Sequence, residues 1–353
     1  MHPSSPEAST THANDYAECR EAIRHGSKTF YAASLILPAK VREPAYGLYA
    51  FCRLSDDAID LGGGSPNALG RLRDRLERIH DGRPLPVAAD RAMADLMRRY
   101  AIPREAPEAL LEGLAWDSAG RRYEGLNELF DYAARVAGTV GVMMTLLMGV
   151  RSPEALARAC DLGVAMQLTN IARDVGEDAR NGRVYLPLQW LRDVGIDPDA
   201  FVADPVIDDR LKSVIARLLA VADNLYLRSR AGVAHLPLAC RPAILAAGMI
   251  YAEIGRELER LSLDSISHRA HVPHARKARL LAKATASVPL LTRGKVVDAL
   301  PCAEFLIKAV ERTPAAIEAP VAEPARPVFN FRPRFIRVLE IFERLERSEQ
   351  LGQ

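Results

Sequence analysis

Apolar residues recur along nearly the whole chain at the three- and four-residue intervals of a helix. The alternating Val/Ile/Thr/Tyr runs and tight Asn-Gly or Asp-Gly turns that mark strands are missing. The pattern predicts an all-α fold. Helices are expected over about Asp15–His25, Pro44–Leu61, Ala68–His80, Asp90–Tyr100, Pro107–Arg122, Leu126–Gly149, Pro153–Ala179, Asp208–Gly232, Pro242–Leu261 and Ala275–Leu291. Pro44 and Pro153 suit first helical turns, Ser152 can cap the helix that follows it, and Gly26 and Gly232 can take the left-handed conformation that ends a helix.

At 353 residues the chain is long enough for one large core or two ordinary domains. Met1 to Asn14 is rich in Ser, Thr, Pro and His and reads as a loose tail without a signal-peptide core. Five prolines between Thr313 and Pro333 rule out a sustained helix there. Beyond them, Phe335, Val338, Leu339, Phe342 and Leu345 fall at helical spacing. The expected organisation is a tail over 1–14, one all-α unit over 15–312, a Pro-rich linker over 313–333 and a short amphipathic helix over 334–353. That last helix balances four arginines with four glutamates. Docking on the protein body or on an oligomer partner is expected of it ahead of contact with a membrane surface.

With 47 Lys+Arg against 45 Asp+Glu, the chain has no global charge with which to wrap nucleic acid. Its five cysteines are scattered, odd in number and never in a CxxC pair, which argues against a disulfide framework or zinc ribbon and for a reducing, cytoplasmic setting. The most apolar stretch, Val136 to Val150, holds 15 uncharged residues, too few to cross a bilayer, and reads as a buried helix.

Two acidic clusters carry the chemistry. Asp56, Asp57 and Asp60 end one apolar helix, with Asp56 and Asp60 on one face, in a stripe that continues back through Arg53, Tyr49 and Tyr46. Like charges crowd there at a helix's negative end, so solvation or something cationic must offset them. On another helix Gln167, Asn170, Asp174 and Asp178 form a second polar stripe among Leu162, Val164, Met166, Leu168, Ile171 and Val175, so that stripe is expected to face an internal cavity. Carboxylate pairs facing each other across a bundle suit hard divalent cations whose remaining oxygens come from a diphosphate. Magnesium fits, and Arg53 and Arg173 can complete an anion clamp.

These residues resemble the squalene and phytoene synthases, head-to-head prenyl transferases of the all-α isoprenoid synthase fold. Tyr49-Ala-Phe-Cys-Arg53-Leu-Ser-Asp56-Asp57-Ala-Ile-Asp60 is similar to the family's first aspartate-rich motif, and Gln167-Leu-Thr-Asn170-Ile-Ala-Arg173-Asp174-Val-Gly-Glu-Asp178 to its second. Gly182-Arg183-Val-Tyr185-Leu-Pro187 resembles the flap after it, His25-Gly-Ser27-Lys-Thr-Phe30 the N-terminal substrate segment, and Val136-Ala-Gly138-Thr-Val-Gly141 the helix lining the prenyl tunnels. The resemblance runs from about His25 to Ala284. It implies metal binding by Asp56, Asp57, Asp60, Asn170, Asp174 and Asp178, and catalysis by Asp56, Asp60, Asp174, Asp178, Arg53 and Tyr185. It further implies substrate binding by His25, Ser27, Phe30, Tyr49, Tyr132, Gly138, Gly141, Gln167, Asn170, Arg173, Tyr251 and Arg269.

Within the family the motifs are most similar to bacterial phytoene synthases. That implies condensation of two geranylgeranyl diphosphates through prephytoene diphosphate to phytoene, the committed step to carotenoids, with magnesium, or manganese in its place, and no NADPH. It also implies carotenoid-pathway enzymes as partners and a cytoplasmic protein with peripheral contact at the inner face of the membrane. A C15 synthase making dehydrosqualene or presqualene diphosphate, and an inactive family member serving as an assembly factor, are the alternatives. Ionising an allylic diphosphate calls for a dry cavity with aromatic faces such as Phe30, Tyr49 and Tyr251. Met143, Met144, Leu147 and Met148 are candidates to set tunnel length, with plain core filling as the other reading. His268, His271 and His274 are not expected to bind metal, because Pro273 breaks their spacing and no acidic or cysteine ligand accompanies them. The basic residues around them, Arg269, Arg276, Lys277 and Arg279, are expected to face diphosphate.

Overall fold

A computed structural model of the chain describes residues 13–26, 31, 33–61, 66–294 and 297–315. Every regular element among the described residues is helical. The fold is the all-α arrangement that the periodicity predicts. No helix among the described residues is long and apolar enough to cross a membrane. The expected C-terminal amphipathic helix and all of the Pro-rich stretch beyond 315 lie outside the described residues.

The centre of the fold is α8 (Pro153–Arg180), a 28-residue helix. Ser152 starts it by accepting the Ala155 N–H, as the sequence predicts. Around α8 pack α6 (Leu126–Ala133), α7 (Thr139–Leu147), α10 (Pro198–Ala203), α11 (Asp209–Val233), α12 (Arg241–Arg260) and α14 (Glu304–Arg312). A second group of helices holds the first acidic cluster: α2 (Ala39–Leu61) packs on α1 (Ala13–Gly26), α3 (Pro66–His80), α4 (Ala88–Tyr100), α5 (Glu105–Ser118) and α7. The short α9 (Leu188–Asp193) follows α8, and α13 (His274–Ser287) lies along α12. The core between the two groups is built from Leu48, Met93, Leu129, Met143, Leu147, Leu156 and Leu168, all essentially inaccessible to solvent.

Several helix boundaries differ from expectation. α1 already includes Ala13 and Asn14, placed in the tail by composition. α2 starts at Ala39, because the Pro38 carbonyl accepts the N–H groups of Val41 and Arg42. Pro44 therefore sits inside the helix, where its missing N–H leaves one early carbonyl without its helical donor. The expected helix Leu126–Gly149 is interrupted by a π turn, Ala134–Gly138, between α6 and α7. α9, α10 and α14 were not predicted, being short.

Neither Gly26 nor Gly232 is left-handed. Both are instead points of close approach: a Cβ on Gly26 would lie 2.5 Å from the Tyr49 hydroxyl, and one on Gly232 would lie 2.3 Å from the Arg158 Cβ. Gly138 and Gly141 serve the same purpose. A Cβ on Gly138 would lie 2.6 Å from the Cys160 sulfur, and one on Gly141 2.5 Å from the Ala159 carbonyl oxygen. Both face α8, so they set how closely the helices cross. Met143 and Leu147 are likewise fully buried core residues.

A test contrasts two helical glycines. Ordinarily Gly→Ala inside a helix stabilises by roughly 0.5–1 kcal/mol. Gly70→Ala, with nothing within 4 Å of the added methyl, should follow that rule. Gly141→Ala should do the opposite, because its methyl meets backbone, and should cost about 1–3 kcal/mol. Denaturant midpoints that move in the same direction for both variants would refute the close-crossing role.

Candidate active site

The two aspartate motifs reach one space from different directions. α2 and α8 are not an extensively packed pair, and α5, which packs on α2, carries Asp117 at its C-terminal end. Asp56 on α2, Asp117 on α5 and Asp178 on α8 are near enough to act on one another: Asp56 raises the Asp117 pKa, and Asp117 raises that of Asp178. Burial is the larger cause in both cases. It and the neighbouring charges push Asp117 up to about 6 and Asp178 up to about 7. Asp60 lies one turn beyond Asp56 on α2; its side chain is outside the described residues.

Arginines offset this concentration of charge. Arg53 binds Asp57 with both Nε and a terminal nitrogen, at 3.1 and 2.7 Å, and lies 3.7 Å from Asp56. Asp174, only 16% exposed, is bracketed by Arg173 at 2.8 Å and by Arg269 at 3.0 Å. Arg269 also reaches Glu177 at 3.3 Å. This contact depends on Gly176, one residue before Glu177. A Cβ there would lie 2.7 Å from the Ser265 carbonyl oxygen and from the Ile266 Cα, so only glycine lets the loop bearing Arg269 lie against α8. The Gly176 N–H also donates to the Ser265 carbonyl at 3.0 Å.

The segment after α8 folds back over the site. Gly182 is left-handed at φ 72°, its N–H donates to the Ala179 carbonyl and the Arg183 N–H donates to the Asp178 carbonyl. This reversal brings Arg183 near Asp117 and Asp178, lowering the pKa of both, and carries Tyr185 to Asp117. The Tyr185 and Tyr132 hydroxyls each donate to Asp117 at 2.8 Å. Their rings stack at 5.3 Å, and Tyr123 stacks on Tyr132 at 5.1 Å. The result is an aromatic wall whose polar tips are held by one carboxylate.

On the other side Tyr251 is half-buried on α12, its hydroxyl pushed up to about 12 chiefly by burial, within the fields of Arg173, Tyr49 and Asp174. Tyr49 is half-buried beside Gly26. Gln167 and Asn170 are half-buried on α8, two turns and one turn before Asp174 respectively. Of the residues singled out from the sequence, the structure brings Arg53, Asp56, Asp57, Asp174, Asp178, Arg173, Arg269, Tyr49, Tyr132, Tyr185 and Tyr251 near one another.

Other residues fall elsewhere. The His25 side chain is 82% exposed, 3.7 Å from Glu21, and is not brought to the aspartates. Ser27 and Phe30 lie outside the described residues. Arg276 does not face the site: it binds Glu253 at 2.7 Å and lies 3.4 Å from Glu257, tying α13 to α12. Asp117 was missed altogether. A lone aspartate without a repeated spacing carries no signal until the fold brings Tyr132, 15 residues away, and Tyr185, 68 away, onto it.

Comparison with known proteins points to one family. Residues 23–276 match the family model described as squalene/phytoene synthase. A phytoene synthase of Cereibacter sphaeroides is 54% identical over 273 residues, covering 74% of this chain and 77% of the relative. A 15-cis-phytoene synthase of a Paracoccus species is 42% identical over 273 residues, covering 74% and 88%. Among solved structures, a dehydrosqualene synthase in complex with a ligand superposes with a TM-score of 0.72 at 30% identity, covering 78% of this chain and 97% of the other.

The carboxylate cluster predicts a pH dependence for the metal-free protein. Asp178 titrates near 4 when unfolded and at about 7 when folded. Its contribution to stability is thus fully present below pH 4 and is lost as pH rises through 7. Asp178→Asn cannot ionise, so between pH 5 and 8 its melting temperature should fall less than that of the unsubstituted chain, both in chelator. Parallel curves for the two proteins would show that crowding of charge at Asp178 is not what the fold opposes.

Proposed function

The chain belongs to the squalene/phytoene synthase family, and we propose from that premise that it joins two geranylgeranyl diphosphates head to head to make phytoene. The 54% identity to a phytoene synthase, over three quarters of both chains, carries this reading. The reaction is a prenyl transfer. The first diphosphate leaves by ionisation, the allylic double bond of the second molecule captures the cation, and loss of a proton closes the cyclopropane of prephytoene diphosphate. A second ionisation releases the other diphosphate, and rearrangement with loss of a second proton gives the hydrocarbon.

We assign the catalytic unit to residues 15–312 and the diphosphate end of the site to the two aspartate motifs. The donors suit magnesium or manganese: they are carboxylates, hard oxygen ligands, and burial together with neighbouring negative charge raises Asp117 and Asp178. Among the described residues no three acidic, His or Cys side chains already converge as a closed cage. That is in keeping with a metal that takes one or two carboxylates and shares the remaining oxygens with substrate. Asp56, Asp57, Asp60, Asn170, Asp174 and Asp178 would hold it. Bound there, it would neutralise the departing diphosphate.

The chain's own cations do the rest of the anion binding. Arg53, Arg173 and Arg269 are each committed to a carboxylate in this structure, and a diphosphate offers each guanidinium equivalent bidentate acceptors. Substrate binding then exchanges one acceptor for another and costs little unpaired charge. Asp117 fixes the Tyr132 and Tyr185 hydroxyls, so the stacked rings keep their faces in register along the wall. Aromatic faces stabilise a carbocation without quenching it, whereas water would capture it. The last step needs a proton acceptor, and the released diphosphate, kept beside the cation by the arginines, fills that role.

The five cysteines are free, which supports a reducing cytoplasmic setting. Incubating the purified chain with magnesium and geranylgeranyl diphosphate, with and without NADPH, should yield phytoene in both cases. A hydrocarbon formed only with NADPH and more reduced than phytoene would overturn the assignment, and a strong preference for farnesyl diphosphate would move it to the C15 synthases. Asp174→Ala and Asp178→Ala should each reduce turnover at least about 100-fold while the chain still folds. Asp117→Asn should keep metal affinity and lower turnover, because one tyrosyl hydroxyl loses its acceptor. Near-normal turnover in both alanine variants would remove the aspartate motifs from the reaction.

A further inference from the structure

A groove of about 630 Å³ opens between α3, the N-terminal half of α5 and α14, at the end of α5 away from Asp117. Glu105 and Asp117 are twelve residues apart on α5, on the order of 18 Å along the helix, so the groove is separate from the site described above. Its floor carries Leu76, Leu111 and the half-exposed Phe305. Its rim is acidic, with five carboxylates against two arginines in the lining. Arg104 is already shared between Glu77 and Glu108.

The chain leaves the described structure at this groove. α14 ends at Arg312, which lies 3.5 Å from Glu105 on the rim, and Arg151 holds the carbonyls of Val310 and Thr313 in place. Thirteen residues later the sequence reaches Arg326–Arg337, which has four arginines, three phenylalanines and no acidic residue. Thirteen residues can span on the order of 40 Å, about twice the length of α5, so this segment can reach every part of the groove. The charge of the segment is opposite to that of the rim. Its aromatic side chains match the apolar floor.

We propose that the groove is the docking site of the chain's own segment 326–337, with phenylalanine rings on Phe305 and Leu111 and arginines on the rim carboxylates. Exposed ion pairs contribute little singly, so ring burial carries the affinity and charge sets the choice of partner. Attachment through a short linker places the segment at millimolar effective concentration, enough for weak contacts to hold.

Hydrogen–deuterium exchange on the full-length chain tests this. Arg332→Glu/Arg334→Glu/Arg337→Glu should speed amide exchange in residues 66–80 and 105–112 by about tenfold without affecting α8. Asp74→Lys/Glu105→Lys should do the same from the groove side, and combining the two sets should restore protection, which loss of folding would not do. Unchanged exchange at 66–80 and 105–112 in both variants overturns the proposal. Protection that disappears on dilution places the segment on a second copy and overturns docking within the chain. Protection of 326–337 that appears only with phosphatidylglycerol vesicles identifies a membrane surface as its partner and overturns it as well.

Discussion

Four carboxylates from three helices, Asp56, Asp117, Asp174 and Asp178, share one partly buried space, and their repulsion is the constraint that the rest of the site answers. Burial weakens the screening that water would provide, so the charges must be neutralised locally or protonated. Both responses are visible. Arg173 and Arg269 bracket Asp174, Arg53 holds Asp57, and burial and repulsion raise Asp117 and Asp178 toward neutrality. A fold that only had to be stable would not gather these groups. On the proposed reading, in which this site holds cations and a diphosphate, the charge opposing folding is the charge available to the ligands.

Holding that cluster together is a task for backbone geometry as much as for side chains. Gly176 lets the Arg269 loop lie on α8, and left-handed Gly182 turns the chain so that Arg183 and Tyr185 return over the acids at its end. Gly138 and Gly141 bring the helix with the π turn against α8 at a distance no larger residue permits. The π turn lies in the same stretch that carries Tyr132 into contact with Asp117. Close approach and precise aim are thus supplied by residues that take no part in the chemistry.

α5 links the two ends of the molecule that merit experiment. Its C-terminal Asp117 anchors the tyrosine wall, and its N-terminal Glu105 and Glu108 border the acidic groove. The groove and the site thus lie at opposite ends of one short helix, and the groove contributes no group to the site.

The all-α class, most of the long helices and the two aspartate stripes were readable in the sequence because they rest on local periodicity: residues three, four and seven apart share a face whatever the rest of the chain does. The arginines beside the motifs were readable for the same reason. Boundaries such as the start of α2 at Ala39 were not, since a carbonyl from Pro38 made the difference. Nor were the roles of Gly138, Gly141 and Gly232, where sequence offers the same absent side chain for a tunnel wall, a helix end and a helix crossing. His25 and Arg276 match a motif or a charge pattern, yet the fold turns one to solvent and gives the other to Glu253. Asp117 is the clearest case. Sequence determines that a carboxylate stands at the end of an apolar helix, but only tertiary structure, by closing distances of 15 and 68 residues, gives it two tyrosyl donors and two acidic neighbours. Electrostatic environment depends on distance in space, and that is the quantity local periodicity does not contain.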